Sequence, residues 1–230
     1  MLRSIIRMFA LAVLGNCFLF SIAHADYRAH PQLAEFVDQM ESQHGFNKSE
    51  LIDLFGQAEK KQNIIDAISR PAEKTLTWAE YRNIFIKSDR IDKGVVFWKE
   101  NKETLSRAEE IYGVPPEMVV AIIGVETRYG NNTGGYRVID ALSTLGFDYP
   151  PRATFFKKEL ENFLLLSREQ KQDPLTLMGS YAGAMGYGQF MPSSYRAYAV
   201  DFDNDGFNDI WNNPVDAIGS VANYFKRHGW

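Results

Sequence analysis

Apolar residues recur at intervals of three and four through almost the whole chain, and this spacing limits the fold more than any other feature of the sequence. Leu33, Phe36, Val37 and Met40 share one face of a first predicted helix, which Gly45 ends. The alternation of apolar and polar residues that is typical of strands is nearly absent. The sequence therefore predicts a mainly α protein.

The remaining helices are predicted from capping and proline signals. A capping box, NKSE at 47–50, precedes the second helix, and one long helix is expected from about Asp89 to Tyr112. Pro115 and Pro116 start the helix that follows, because the first turn of a helix does not use the N–H that proline lacks. A third helix is predicted around Ile64, Ile65 and Ile68, and another is predicted to begin at Thr77. Four more are predicted at about 138–145, 152–169, 192–199 and 214–227.

The first 25 residues have the pattern of a secretory signal peptide. Two arginines precede an apolar run, and Ala23, His24 and Ala25 form an A-x-A exit, so we expect cleavage after Ala25 and export to a periplasm. The run is short for a bilayer span. An uncleaved anchor and lipidation at Cys17, the single cysteine, are the weaker alternatives, and they leave attachment to the outer membrane open.

Composition and charge exclude several classes of protein. A hydrophobic content of 45% describes a soluble globular chain instead of a disordered one. The formal net charge of −4 gives no indication of a basic surface that would bind nucleic acid, and it argues against adhesion to anionic lipid. We expect a monomer that does not bind nucleic acid.

Residues 119–130, VVAIIGVETRYG, place one carboxylate at the end of an apolar run. Val119, Ile122, Ile123 and Glu126 are spaced by three and four, so we expect Glu126 on the buried face of its helix, near the C-terminal end. Desolvation and the helix dipole both disfavour ionisation there and should raise the pKa of the carboxyl. Such a glutamate suits the general acid of glycosidic bond cleavage. The alternative is a glutamate that pairs with an arginine, although Arg128 is poorly placed to pair within the helix.

Residues 179–195, GSYAGAMGYGQFMPSSY, contain glycines at 183, 186 and 188 that allow tight turns and close approach of the backbone to a ligand. The phosphate-binding pattern G-x-x-x-x-G-K-[ST] is absent from the sequence, and no strand is predicted before this segment. Ser180 and Gln189 stand among apolar and aromatic residues, a mixture that suits sugars. A glycine-rich corner between two helices is the alternative interpretation.

Residues 201–212, DFDNDGFNDIWN, follow the spacing of an EF-hand-like calcium loop. Aspartates fall at loop positions one, three and five, a glycine at six, and a backbone carbonyl at seven. Position twelve is Asn212 instead of glutamate, so a carboxylate from the following helix is expected to complete the site. The predicted ligands are Asp201, Asp203, Asp205, Phe207 and Asp216. A single loop suits a structural Ca²⁺ better than a sensor, and a solvated acidic loop is the alternative.

Three motifs in order resemble the lytic murein transglycosylase B family: GVETRYG, AGAMGYGQFMPSSY, and DFDNDGFNDIW followed by NPVDAIGSVANYFKRHGW. The resemblance implies an N-terminal helical region, 26–104, and a lysozyme-like catalytic core, 105–230, that includes the calcium loop, 201–216. It also implies a peptidoglycan glycan strand as substrate, cleavage of the MurNAc–GlcNAc β-1,4 bond and 1,6-anhydro-MurNAc ends. The same resemblance implies a structural Ca²⁺ and no organic cofactor. It also implies cell-wall synthesis proteins as partners.

The resemblance also assigns roles to single residues. Glu126 is implied to be the single general acid and base, because the C6 hydroxyl of the substrate supplies the nucleophile. Ser180 is implied to position that glutamate or the sugar beside it, and Gln189 to bind the glycan through its amide. The other expected substrate contacts are Tyr81, Arg152 and Tyr187.

Two other functions stay open. Members of the family continue past the HGW motif, and their tail adds side chains to the cleft, so a non-catalytic, calcium-stabilised peptidoglycan-binding module is one alternative. A hydrolytic lysozyme is the other. It needs a second carboxylate to activate water, for which Asp140 and Asp148 are the nearest candidates in sequence.

Overall fold

The computed structural model describes residues 26–70 and 76–230. Within these residues the chain forms eleven α-helices and one pair of short strands, so the mainly α prediction is confirmed. The predicted signal peptide at 1–25 lies outside the described residues. Among the described helices, none has both the length and the apolar character needed to span a bilayer.

The helices follow one another with short connections. They are α1 (Leu33–His44), α2 (Lys48–Phe55), α3 (Gln62–Ile68), α4 (Trp78–Phe85), α5 (Ser88–Glu100), α6 (Lys102–Tyr112), α7 (Pro116–Thr127), α8 (Val138–Asp148), α9 (Ala153–Glu169), α10 (Pro192–Tyr198) and α11 (Pro214–Arg227). The strands β1 (Tyr136–Arg137) and β2 (Met178–Gly179) pair antiparallel.

Side-chain caps explain where two of these helices begin. The Asn47 side chain accepts hydrogen bonds from the backbone N–H groups of Ser49 and Glu50, which makes it the N-cap of α2. The structure records no reciprocal bond from Glu50 there, so the predicted capping box is only half formed. The complete box lies at α4, between Thr77 and Glu80.

The single long helix predicted from about Asp89 to Tyr112 is wrong, because the structure divides it into α5 and α6 at Asn101. Asn101 has φ −112° and ψ 20°, and its side-chain amide donates to the Phe97 carbonyl oxygen at 2.8 Å. An asparagine side chain that bonds nearby backbone in this way competes with the continuing helix. The break allows α5 to pack against α7 while α6 packs against α11. The predicted division at 104/105 falls within α6 and stays a prediction.

Helix α8 forms the centre of the molecule. Every residue from Val138 to Phe147 is buried, with α9 packed along one side and α3 against another. Leu142 and Leu145 are fully covered, as are Phe156 and Phe163 of α9. Burying each of these side chains contributes about 1.5–3 kcal/mol to folding. Sequence periodicity predicted where this helix lies along the chain, and the structure shows that other helices pack around it.

One polar stripe on α8 joins the first helices of the chain to this core. The Asp140 carboxylate accepts the backbone N–H of Glu59 at 2.8 Å, and the Thr144 hydroxyl accepts the backbone N–H of Lys61 at 3.0 Å. Asp140 also receives two hydrogen bonds from the Arg137 guanidinium, at 2.8 and 2.9 Å. Polar groups four residues apart lie on one helix face, so the stripe fixes the segment between α2 and α3 against α8.

We predict that Asp140→Ala lowers the free energy of unfolding by about 3 kcal/mol, because it removes the buried acceptor of the Arg137 guanidinium and of a backbone N–H. Urea denaturation at neutral pH measures this change. The control is Asp53→Ala, whose exposed pair with Arg28 at 3.4 Å should change stability by less than about 0.5 kcal/mol. Equal losses in the two variants would contradict the role of the stripe.

Candidate active site

A cleft of about 350 Å³ lies between α7, the glycine-rich segment and α11. Most of its surface is apolar or aromatic, with one carboxylate and two uncharged polar side chains. The lining residues are Ile122, Glu126, Gly188, Gln189, Phe190, Met191, Ser194, Val221, Tyr224 and Phe225.

Glu126 faces this cleft and is exposed, so the prediction that it lies on the buried face of its helix is wrong. Helix α7 enters the core through a neighbouring stripe that includes Val120 and Ile123. Ile122 and Glu126, one turn apart, lie beside that stripe and line the cleft instead. Apolar spacing did not distinguish a position that faces the cleft from one that faces the core, because Ile122, which lines the cleft, is as apolar as Ile123, which is buried.

The apolar walls raise the pKa of the Glu126 carboxyl above its ordinary value by desolvation, although a ligand can reach the side chain. Within the described residues, no hydrogen bond or ion pair stabilises its charged form. Arg128, the arginine considered above as a partner for Glu126, ends α7 in the left-handed conformation, with φ 52°. An accessible carboxyl that retains its proton to higher pH has the properties of a general acid.

Thr127, the residue after Glu126, ties the end of α7 to the glycine-rich segment. Its buried hydroxyl donates to the Tyr187 carbonyl oxygen at 3.0 Å and accepts the Gly130 N–H at 3.0 Å. The last turn of α7 is therefore fixed to a second wall of the cleft. Sequence reasoning missed this residue, and its place beside the glutamate in GVETRYG was the only signal for it.

The glycine-rich segment folds into a tight turn between Met185 and Phe190, which exchange two backbone hydrogen bonds of 2.9 Å. Gly186 has φ 65°, and a Cβ at this position would overlap the Ile210 carbonyl. The predicted close approach is therefore made to the protein's own backbone here. The turn presents Gln189 and its neighbours to the cleft.

Two backbone carbonyls orient the Gln189 side chain. Its amide nitrogen donates to the carbonyl oxygens of Thr133, at 3.1 Å, and Gly186, at 2.9 Å. Both N–H groups are thereby used, and the amide oxygen is left to accept a hydrogen bond from a ligand. The predicted glycan-binding amide thus lies in the same cleft as Glu126.

Ser180 and Tyr187 are placed outside the lining of this cleft. The Ser180 hydroxyl accepts the backbone N–H groups of Ala182 and Ala184, at 3.3 and 3.1 Å, and shapes the local turn. The Tyr187 ring packs beside Phe97, and burial raises the pKa of its hydroxyl. Their predicted roles toward the glutamate and the sugar stay predictions.

Tyr81 and Arg152 also lie outside the lining of the cleft. Tyr81 is on α4, where its ring contacts those of Trp78 and Phe85. The Arg152 guanidinium lies 4.4 Å from the centre of the Phe155 ring. Their roles as substrate contacts likewise stay predictions.

The aromatic wall contributed by α11 was not predicted. Tyr224 stacks on Phe190, with ring centres 5.8 Å apart and planes 30° apart, and Phe225 lines the cleft beside it. Flat apolar faces of this kind suit the apolar faces of sugar rings. The NYF sequence inside the third motif was the available signal, but α11 could be placed against the turn only in three dimensions.

Asp140 and Asp148, the candidates for a water-activating carboxylate, are used elsewhere. Asp140 binds Arg137 in the α8 stripe, while Asp148 accepts the Tyr27 hydroxyl at 2.9 Å and pairs with Lys60. Among the described residues, Glu126 is the one carboxylate that lines the cleft. The site therefore offers a single acid and base.

The acidic loop gathers four carboxylates with oxygens that lie within 4.8 Å of one another, those of Asp201, Asp203, Asp205 and Asp216. This set of hard oxygen donors fits Ca²⁺, and the structure thus brings four of the five predicted ligands together. The fifth, the Phe207 carbonyl oxygen, accepts the Asp209 N–H at 3.1 Å.

Asp216 connects this loop to α11. Its buried carboxylate accepts the backbone N–H groups of Phe202, at 2.7 Å, and Asp209, at 2.8 Å, and desolvation raises its pKa. At the start of the same helix, the Asn213 amide donates to Asp203 at 2.7 Å and lowers the pKa of that carboxyl. The loop and the cleft therefore share α11 as a wall.

Comparison with known proteins places these features in a family. The transglycosylase SLT domain model matches residues 28–230. The chain is 50% identical over 214 residues to membrane-bound lytic murein transglycosylase B of Escherichia coli strain K12, an alignment that covers 89% of this chain and 59% of the relative. The chain thus spans less than two thirds of the length of that relative.

Two solved structures share the fold. Soluble lytic transglycosylase SltB1 from Pseudomonas aeruginosa is 65% identical, with a TM-score of 0.84 over 87% of this chain and 67% of that one. The Escherichia coli lytic transglycosylase Slt35, in complex with calcium, is 51% identical, with a TM-score of 0.84 over 89% and 65%. The predicted lysozyme-like core agrees with this likeness. By its domain match and by its resemblance to lytic murein transglycosylase B, the chain belongs to the transglycosylase SLT domain family.

Proposed function

We propose that this protein is a lytic transglycosylase that cleaves the MurNAc–GlcNAc β-1,4 bond of peptidoglycan and leaves 1,6-anhydro-MurNAc ends. The observation that carries the proposal is a single acid of raised pKa, Glu126, in an aromatic-lined cleft with no second carboxylate among its described lining residues. The names of the matched proteins from Escherichia coli and Pseudomonas aeruginosa support it.

The mechanism follows from having one acid and base. Protonated Glu126 donates its proton to the glycosidic oxygen as the bond to C1 breaks. The resulting carboxylate then accepts the proton of the muramoyl C6 hydroxyl while that oxygen bonds to C1. Because the substrate supplies its own nucleophile, the second carboxylate used by most glycosidases is not required.

The cleft walls suit a glycan strand. Tyr224, Phe225 and Phe190 offer flat apolar surfaces, and the free amide oxygen of Gln189 accepts a hydroxyl or acetamido N–H. Ser194 adds a hydroxyl on the same wall. The protein would thereby hold a sugar with its glycosidic oxygen near Glu126.

The acidic loop is proposed to hold one structural Ca²⁺. Asp201, Asp203, Asp205 and Asp216 would supply carboxylate oxygens, and the calcium complex of the related Slt35 supports this assignment. A bound divalent cation would screen the mutual repulsion of these groups and hold the loop against α11.

A location in the cell envelope fits this substrate. The name of the curated relative describes a membrane-bound protein. The basic and apolar segment at 1–25, which lies outside the described residues, is proposed as the export signal.

Glu126→Gln should lower the release of soluble muropeptides from murein sacculi by about 10²–10⁴-fold, because the amide cannot donate the proton. The raised pKa means that the folded state binds this proton more tightly than the unfolded state, so ionisation above that pKa favours unfolding. The neutral glutamine should therefore leave the melting temperature at pH 7 unchanged or higher. Mass spectrometry of the products and a thermal melt test both expectations.

The products also separate the alternatives. Anhydro ends, lighter by one water than hydrolysed ends and absent with Glu126→Gln, agree with the transglycosylase. Reducing ends would support a hydrolytic lysozyme. Sacculus binding without any release by the unmodified chain would support a binding module.

The pH dependence of kcat should follow the protonation of Glu126. Activity needs the protonated acid, so kcat falls as the pH rises through the raised pKa. Ile122→Ser, which replaces an apolar neighbour one turn away by a polar group, should move this alkaline limb to lower pH. The matched control, Ile122→Val, keeps the wall apolar and should keep the limb in place. An unmoved limb in Ile122→Ser would contradict desolvation as the cause.

Calcium should raise the melting temperature without changing kcat at temperatures where the apo protein is folded. At a concentration of 100 Kd, one site stabilises the native state by about 2.7 kcal/mol. Asp205→Asn, which weakens the site, should lose most of this gain, whereas Asp66→Asn, an exposed aspartate outside the loop, should keep it. Thermal melts with calcium and with a chelator measure the difference, and equal gains in both variants would contradict the assignment.

A further inference from the structure

Glu159 is a buried carboxylate that the proposed chemistry does not use. It lies on α9 with 4% of its surface exposed, and the described residues give it no ion pair. Glutamate is rarely this well covered, because desolvation of its charge is costly unless hydrogen bonds replace the lost water. Its hydrogen-bond partners therefore indicate why the carboxylate is there.

Both oxygens of Glu159 bind one residue, Ser193. One oxygen accepts the Ser193 hydroxyl at 2.7 Å, and the other accepts the Ser193 backbone N–H at 2.9 Å. A carboxylate accepts both donors at once, and a glutamine could keep both contacts only by donating its NH₂ to the hydroxyl oxygen. The contact thus requires a side chain that carries two polar atoms to Ser193, which an alanine at position 159 does not provide.

Ser193 lies within the wall of the cleft. Met191 and Ser194, on either side of it, both line the cleft with Glu126. Pro192, between Met191 and Ser193, has no N–H, so the Ser193 N–H is the first donor that α10 offers. Fixing Ser193 from α9 therefore fixes the position of the wall on both sides of it.

A second clamp between the same two helices lies away from the cleft. The Arg196 guanidinium binds Glu169 at 2.7 and 3.0 Å, and it binds the Asn162 side chain at 2.7 Å. Arg196 and Glu169 are exposed, and neither lines the cleft. Helix α9 thus holds α10 through an inner buried contact and an outer exposed one.

We infer that Glu159 is a positioning residue, which acts through Ser193 to hold Met191 and Ser194 in the geometry that the sugar needs beside Glu126. The inference rests on the proposed function. Loss of the contact would let this wall shift, and a shift of about 1 Å near a reacting group can lower turnover about 100-fold.

The test compares Glu159→Ala, Ser193→Ala, their double variant and the control Glu169→Ala. Initial rates on purified uncrosslinked glycan strands give kcat and KM, and amide hydrogen exchange reports on residues 188–194. We expect Glu159→Ala to lower kcat by about 10- to 100-fold, with a smaller change in KM. Exchange in 188–194 should rise in the same variant. Glu169→Ala should leave both readings close to those of the unmodified chain.

Ser193→Ala removes the hydroxyl bond but keeps the backbone N–H bond, so it should lower kcat by less than Glu159→Ala does. The double variant should be no worse than Glu159→Ala alone, because that change already removes both bonds. If Glu159→Ala does not fold, Ser193→Ala and the exchange data carry the test. An unchanged kcat with unchanged exchange in 188–194 would overturn the inference, as would an equal fall in Glu169→Ala. If the unmodified chain has no turnover, the proposed function fails, while the exchange comparison still decides whether Glu159 holds the wall.

Discussion

The burial of α8 is the constraint on which the rest of the structure depends. Its apolar side chains pack against α9, and its polar stripe uses Asp140 and Thr144 to satisfy backbone N–H groups of the segment between α2 and α3. A helix with no exposed face needs partners for each polar group that it carries. The first helices of the chain therefore dock in one register, and α9 is fixed where it can support the wall of the cleft.

The cleft is built from parts that are far apart in the sequence. Helix α7 supplies Glu126, the glycine-rich turn supplies Gln189, and α11 supplies Tyr224. The Thr127 hydroxyl bonds α7 to the glycine-rich segment, and Glu159 of α9 bonds Ser193 at the end of that segment. Because these contacts are short and partly buried, the walls are held by the scaffold before a ligand binds, which is what a site that relies on positioning requires.

The environment of each carboxylate explains how one chain uses acids for different purposes. Glu126 has apolar walls and no partner among the described residues, so its pKa rises and it remains a proton donor. Glu159 is far more deeply buried than Glu126, but two hydrogen bonds occupy its oxygens. Asp216 anchors the acidic loop through backbone N–H groups. All three side chains are carboxylic acids, and the neighbours of each one decide its role.

The sequence by itself determined the helical class, most of the helices apart from the break at Asn101, the N-caps at Asn47 and Thr77, and the motifs that carry Glu126 and the acidic loop. These features depend on spacing and on neighbours within one turn, which a single sequence contains. Only the tertiary structure decided that Glu126 faces a cleft instead of the core and that Asp140 serves packing instead of chemistry. Periodicity shows that a face is apolar, but what covers that face comes from residues far along the chain.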